Sequence, residues 1–228
     1  MKLVSLLVLA LVGCSMTSVR AARVEADDGL ALPPARGPLE IAAGAEELNM
    51  HELVLALARI TGVELALDPL TQQELQQSRV ALVRDAPVPA EEAYAFVESF
   101  LARQGYALCV LKHGARPILG VFGQASRQSS TPEPLFVAES DLPLLEDHAA
   151  LLVRVVVTFR NIDTRQLQTQ LRQLLVDATG LRQCVPAGER SLILQGLGRE
   201  TLSLVQLLRE VDAASVAPSA PAPAPEAK

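Results

Sequence analysis

Residues able to carry chemistry are few and scattered. The histidines are His51, His113 and His148, and the cysteines are Cys14, Cys109 and Cys184. His51-Glu52 opens like the helical zinc-protease motif, but the position where the second histidine belongs holds Leu55. Cys109 and His113 have no companion ligands at metal-site spacing. Gly196-Leu197-Gly198 begins like a dinucleotide loop, yet the third glycine position is Thr201, so a tight strand-to-helix turn is the better account. No nucleophile elbow groups the serines with a histidine and an aspartate. We therefore expect no enzyme, no metal and no cofactor. What remains is the Cys14 thiol, a nucleophile at the exit of an apolar run.

That run begins after Met1-Lys2 and extends from Leu3 to Val12, broken only by Ser5. It is about half as long as the roughly 20 residues a membrane-spanning helix needs, and it has the layout of a cleavable secretory signal. Leu11-Val12-Gly13-Cys14 resembles the lipobox of bacterial lipoproteins. The resemblance implies that residues 1–13 are a signal peptide and that Cys14 becomes the acylated amino terminus. Several acyl chains, at about 0.8 kcal/mol per buried methylene, hold a membrane far more firmly than one. Ser15 stands where an aspartate would imply retention at the inner membrane, so an outer-membrane anchor facing the periplasm is expected. The alternative is an ordinary secreted protein whose cysteine is coincidental.

Half the residues are hydrophobic and none is tryptophan, so the core must be aliphatic. The net charge of -6 gives no general attraction for nucleic acid, which is not expected as a partner. Cys109 and Cys184 fall in separate apolar runs, which favours buried free thiols over a disulfide.

The elements that would position a site follow from periodicity. Residues 14–37 contain Pro33 and Pro34 and read as a lipidated tether. Leu39 to Ile41 reads as a short strand. Asn49 to Thr61 is a helix with Leu53, Val54, Leu57 and Ile60 on one face, Asn49 as N-cap and Gly62 as terminator. Val63 to Leu67 is a strand that Asp68-Pro69 stops, and Arg79 to Arg84 is another. Pro89 opens a helix with Ala93, Val97, Phe100 and Leu101 inward, closed by Gly105. Tyr106 to Leu111 and Pro117 to Phe122 form a hairpin around His113-Gly114.

Residues 124–150 read as a linker, of which 134–150 has no clear period. A second unit starts with the strand Leu151 to Phe159. Asp163 caps a helix with Leu167, Leu171, Leu174 and Leu175 on one side, ended by Gly180. Strands Leu181 to Val185 and Ser191 to Leu194 flank Pro186-Ala187-Gly188. A last helix from Arg199 to Val211 buries Leu202, Val205, Leu208 and Val211, and residues 213–228 are a disordered Ala/Pro tail. Both halves thus read strand-helix-strand-strand-helix. The fold class is α+β with two small domains, 38–123 and 151–212.

The first unit resembles the membrane-distal periplasmic domain of secretins, related to the signalling domain of TonB-dependent receptors. It does so through Leu48-Asn49-Met50, Ile60-Thr61-Gly62-Val63, Asp68-Pro69, Glu91-Glu92-Ala93-Tyr94 and Gly105-Tyr106-Ala107. The second resembles the KH-like ring domain of secretins through Val157 to Asp163, Ser191-Leu192-Ile193-Leu194-Gln195-Gly196 and Leu207 to Asp212. It lacks the Gly-x-x-Gly loop of nucleic-acid-binding KH domains. A secretin continues into a β-barrel pore, and no series of alternating ten-residue strands follows here. The resemblance implies a non-catalytic, lipid-anchored periplasmic module for a secretion or pilus machine. Its partners would be the secretin or inner-membrane secretion components, homo-oligomers being open. The alternative is a receptor-like module that senses a peptide or small ligand. The interface residues are not legible, the final helix and the second unit's strands being the nearest candidates.

Overall fold

The computed structural model describes residues 32–41, 48–80, 87–112, 117–123, 132–174 and 181–215, with backbone alone at 170 and 172–174. In the first unit α1 spans Met50–Thr61 and buries Met50, Leu53, Val54 and Leu57. The Asn49 side chain accepts the Glu52 N–H at 2.8 Å, and Gly62 ends the helix in the left-handed region at φ 73°. These are the cap and terminator the sequence announces. Strand β1, Glu64–Leu67, follows.

The next element departs from expectation. Asp68-Pro69 stops β1 but also starts a helix, α2, at Pro69–Gln77. Asp68 Oδ1 accepts the N–H groups of Leu70 and Thr71 at 2.9 and 3.0 Å, and the Thr71 hydroxyl donates to Oδ2 at 2.6 Å. An aspartate N-cap ahead of a proline at the first helical position is a strong helix start. Of the strand expected at Arg79 to Arg84, Arg79 makes an isolated antiparallel bridge to Asn49 and Val80 N–H donates to Leu48 O; residues 81–84 lie outside the described residues. Leu39 makes a similar lone bridge to Val88. Helix α3, Ala93–Arg103, leads into the expected hairpin of β2, Ala107–Lys112, and β3, Ile118–Phe122. The sheet order is β1-β3-β2, with β1 parallel to β3.

The second unit has the expected order: β5 Leu152–Thr158, α4 Thr164–Leu174, β6 Gln183–Pro186, β7 Ser191–Leu197 and α5 Gly198–Ala214. The first unit does not share it, because α2 intervenes. The expected linker also carries structure. Strand β4, Leu135–Val137, pairs parallel with β5, and a 3₁₀ helix runs from Glu139 to Asp147. The sheet order is β4-β5-β7-β6. Leu202, Val205 and Leu208 are buried as expected, but Val211 is 42% exposed, because the buried face of α5 continues from Leu208 to Asp212, which is 6% exposed. The end expected for α4, Leu175 to Gly180, lies outside the described residues.

Residues 32–37 are more than tether. Leu32 and Ala35 pack against the first core, the Tyr94 hydroxyl donates to Pro33 O at 3.0 Å, and Arg36 N–H donates to Ile60 O at 2.8 Å. A proline-rich segment leaves its carbonyls free of a ladder, and here one of them serves a half-buried tyrosine. Cys109 is buried and Cys184 half-buried, with no disulfide between them. Among the described residues no helix is long and apolar enough to cross a membrane.

Candidate interaction face and the junction that frames it

Strand alternation divides the second sheet into two faces. Inward, Val137, Val153, Val155, Val157, Leu192 and Leu194 pack against Leu167 and Leu171 of α4 and Leu202, Val205 and Leu208 of α5. Outward, registered residues form rows. The pair Leu152 and Leu197 is covered by Ala107 and Cys109 of the first unit, with Leu181 in the same cluster. The next row is Phe136, Arg154, Gln195 and Gln183, and the one beyond it is Val156, Ile193 and Val185. Thr158 and Ser191 close the face.

No described helix covers these outer rows. Phe136 is 64% exposed, Val185 47% and Val156 39%. Arg154, paired in register with Phe136, donates from Nε and Nη2 to Gln195 Oε1 at 3.3 and 2.8 Å. Among the described strand residues pointing outward, Arg154 is the one charged side chain. A charge-poor sheet face with a registered aliphatic row is the kind of surface that partners cover. On α5, Leu207 and Val211 are also exposed, one turn apart. Arg209 turns elsewhere, with Nη1 donating to Thr158 O and the guanidinium carbon 5.5 Å from the centre of the buried Phe159 ring. Its other nitrogen pairs with Glu139.

What frames this face is the junction between the units. Glu98 of α3 is wholly buried. Its Oε2 accepts the N–H groups of Ala150 and Leu151 at 3.0 and 3.2 Å, and its Oε1 meets His148 Nδ1 at 2.8 Å. An ionised Glu98 can only accept, and opposite it Nδ1 is the donor of this bond. Leu108 N–H of β2 donates to Ala150 O at 2.8 Å, so the first sheet continues by one bridge into the lead of β5. Burial pushes the His148 imidazole down, but the bond and charge of Glu98 and the charge of Asp147 lift it above its ordinary value of 6.5. Burial raises the Tyr94 hydroxyl to about 12, with Thr61 opposing and Glu98 adding.

The other residues singled out by type fall apart in space. His51 is half-buried on α1, and Cys14 and His113 lie outside the described residues. Gly196-Leu197-Gly198 is the turn from β7 into α5. A Cβ at Gly198 would lie 2.3 Å from His148 O, so glycine is there to admit the neighbouring backbone. Among the described residues no three His, Cys, Asp or Glu side chains cluster as metal ligands. Glu98 escaped sequence reasoning, because a glutamate on an amphipathic helix ordinarily faces water; its place beside Val97 on the inward side was the available signal.

No protein-family model and no curated protein matches the sequence. Solved structures do. A chain of the Klebsiella pneumoniae type II secretion outer-membrane complex, containing PulD, PulS and the PulC HR domain, superposes with a TM-score of 0.56 at 18% identity. The chain shares its fold with a secretion-system component. The superposition covers 76% of this chain and 27% of that one, so this chain spans little more than a quarter of that neighbour's length. The enterotoxigenic Escherichia coli GspC-GspD complex matches at 17% identity, covering 76% and 99%, with a TM-score of 0.29. The N-terminal domain of the Pseudomonas aeruginosa secretin XcpQ matches at 16%, covering 77% and 63%, with a TM-score of 0.24.

Proposed function

We propose that this chain is a non-catalytic periplasmic interaction module of a secretin-type secretion or pilus machine. The observation that carries the proposal is the open outer face of the second sheet, with Val156, Ile193 and Val185 in register. It belongs to a fold shared with a type II secretion component. In this reading residues 1–13 are removed, a lipid on Cys14 anchors the chain to the outer membrane, and residues 15–31 set its reach. The first domain takes in residues 32–37 as well, since Leu32 and Ala35 pack against its core. The second, KH-like domain includes β4 and ends with α5. Its partner is the secretin itself or an inner-membrane secretion component.

The face suits such a partner on physical grounds. Covering Phe136, Val156, Val185 and Ile193 gains about 25 cal/mol per Å² of apolar area, while Arg154 disfavours partners that lack a carboxylate or carbonyl to meet it. The test is affinity capture from solubilised envelopes with the wild-type chain and Val156→Asp, read by mass spectrometry. Wild type should recover secretin or inner-membrane secretion proteins and the variant should lose them. Equal recovery by both variants moves the interface elsewhere, and a reproducible small ligand without secretion proteins replaces this reading with the receptor-like one.

A further inference from the structure

The Glu98 carboxylate belongs to the first unit by sequence, yet its three described donors all come from residues 148–151, the lead into the second unit. A carboxylate with no exposed surface must be compensated by donors and counter-charge. Two of its donors are fixed amides. The third is a group whose charge changes near neutral pH. We propose that Glu98 and His148 form a protonation-controlled latch between the two units, held tightest when the imidazole is doubly protonated and loosened when it loses a proton.

The proton has a route and a defined exit. The His148 side chain is 13% exposed and lines a cavity of about 470 Å³ together with Leu32, Pro34, Glu91, Tyr94 and Asp147. Nε2 releases its proton to solvent, while Nδ1 keeps its own and its bond to Glu98. What is lost is the positive charge opposite a buried carboxylate. The groups facing His148 from each neighbouring element mostly favour that charge. Helix α3 presents Glu98 and the Tyr94 ring, whose centre is 6.2 Å away, and the short turn just before α3 presents Glu91. The 3₁₀ helix Glu139–Asp147 presents Asp147, and α5 contributes Arg199, whose backbone N–H donates to His148 O while its Nε donates to the backbone carbonyl of Glu146. The N-terminal segment presents Leu32, Pro34 and Ala35, which carry no charge.

The sign follows from the raised folded value of His148. The ion-pair contribution is complete below the ordinary value of 6.5 and disappears as pH climbs through the higher folded value. Acidic surroundings therefore clamp the units and alkaline ones free them. The latch stands independently of any secretion partner.

Amide hydrogen exchange on the full chain tests it, corrected for intrinsic rate and read as protection at Ala150 and Leu151 relative to Val155 inside the sheet. In wild type the ratio should fall several-fold between about pH 5.5 and about pH 8.5. His148→Asn keeps a donor near the Nδ1 position and does not titrate, so its ratio should be flat. A flat wild-type ratio overturns the latch, as does an equal pH dependence in His148→Asn; should that variant fail to fold, the wild-type series decides alone.

Discussion

His148 Nδ1 lies 2.8 Å from Glu98 Oε1, joining side chains fifty residues apart in the chain. The same carboxylate holds two consecutive backbone amides. Junction adhesion comes mostly from Leu152, Leu181 and Leu197, at about 2 kcal/mol for each buried leucine. The carboxylate and the Leu108 N–H together hold Ala150 and Leu151, the two residues immediately before Leu152.

Glu98→Gln keeps the size of the side chain but removes the negative charge opposite His148 and forces the imidazole into its other tautomer or into a donor-donor contact. It should lower stability by about 2 kcal/mol or more at neutral pH, measured as a fall in the urea midpoint at unchanged slope. A loss under about 0.5 kcal/mol would mean the carboxylate is a passenger.

Asp212 gathers the loop after β5, accepting the N–H groups of Arg160, Asn161 and Ile162 at 3.0, 2.7 and 3.1 Å. Burial raises its carboxyl, but those three bonds and the charge of Arg209 bring it below the ordinary 3.8. Its contribution is therefore present above that value and fades as pH falls through the lower folded one. Asp212→Asn should cost about 1 to 2 kcal/mol at pH 7, and acid titration should make the gap between variant and wild type close below about pH 4. A gap that stays constant into strong acid would contradict this account.

Gly198 has His148 O where a side chain would begin. Gly198→Ala should displace the start of α5 and cost about 2 kcal/mol, lowering the thermal midpoint. Gly37 has nothing within 4 Å, so Gly37→Ala should leave that midpoint within error. Equal behaviour of the two would show that the turn yields easily.

Cys14→Ser tests the anchor. Fractionated cells should show the variant as a soluble periplasmic protein or an uncleaved precursor, with no radiolabelled fatty acid incorporated. Mature, unlipidated protein remaining in the outer-membrane fraction would require another means of attachment.

Much of the fold was legible because its signals are local. The spacing of Leu53, Val54 and Leu57 fixes the buried face of α1, and Asn49 and Gly62 mark its ends through their own backbone preferences. The run of apolar, β-branched residues in Leu152–Thr158 marks it as a strand, although which residues face the core is shown only by their burial. Helix α2 was missed because only Thr71 and Leu75 are buried along it, too few to show a period. Strand β4 was missed because three residues carry no period at all.

The sequence by itself determined helices α1, α3, α4 and α5, the β2-β3 hairpin and the existence of the apolar strand β5, each set by interactions within a few residues. Only the tertiary structure decided that β1 joins β3 rather than a nearer strand, that Glu98 turns inward to the lead of the second sheet, and that Val156, Ile193 and Val185 align on a face that no described helix covers. Those outcomes depend on contacts between segments distant in the chain, whose free energies no local propensity carries.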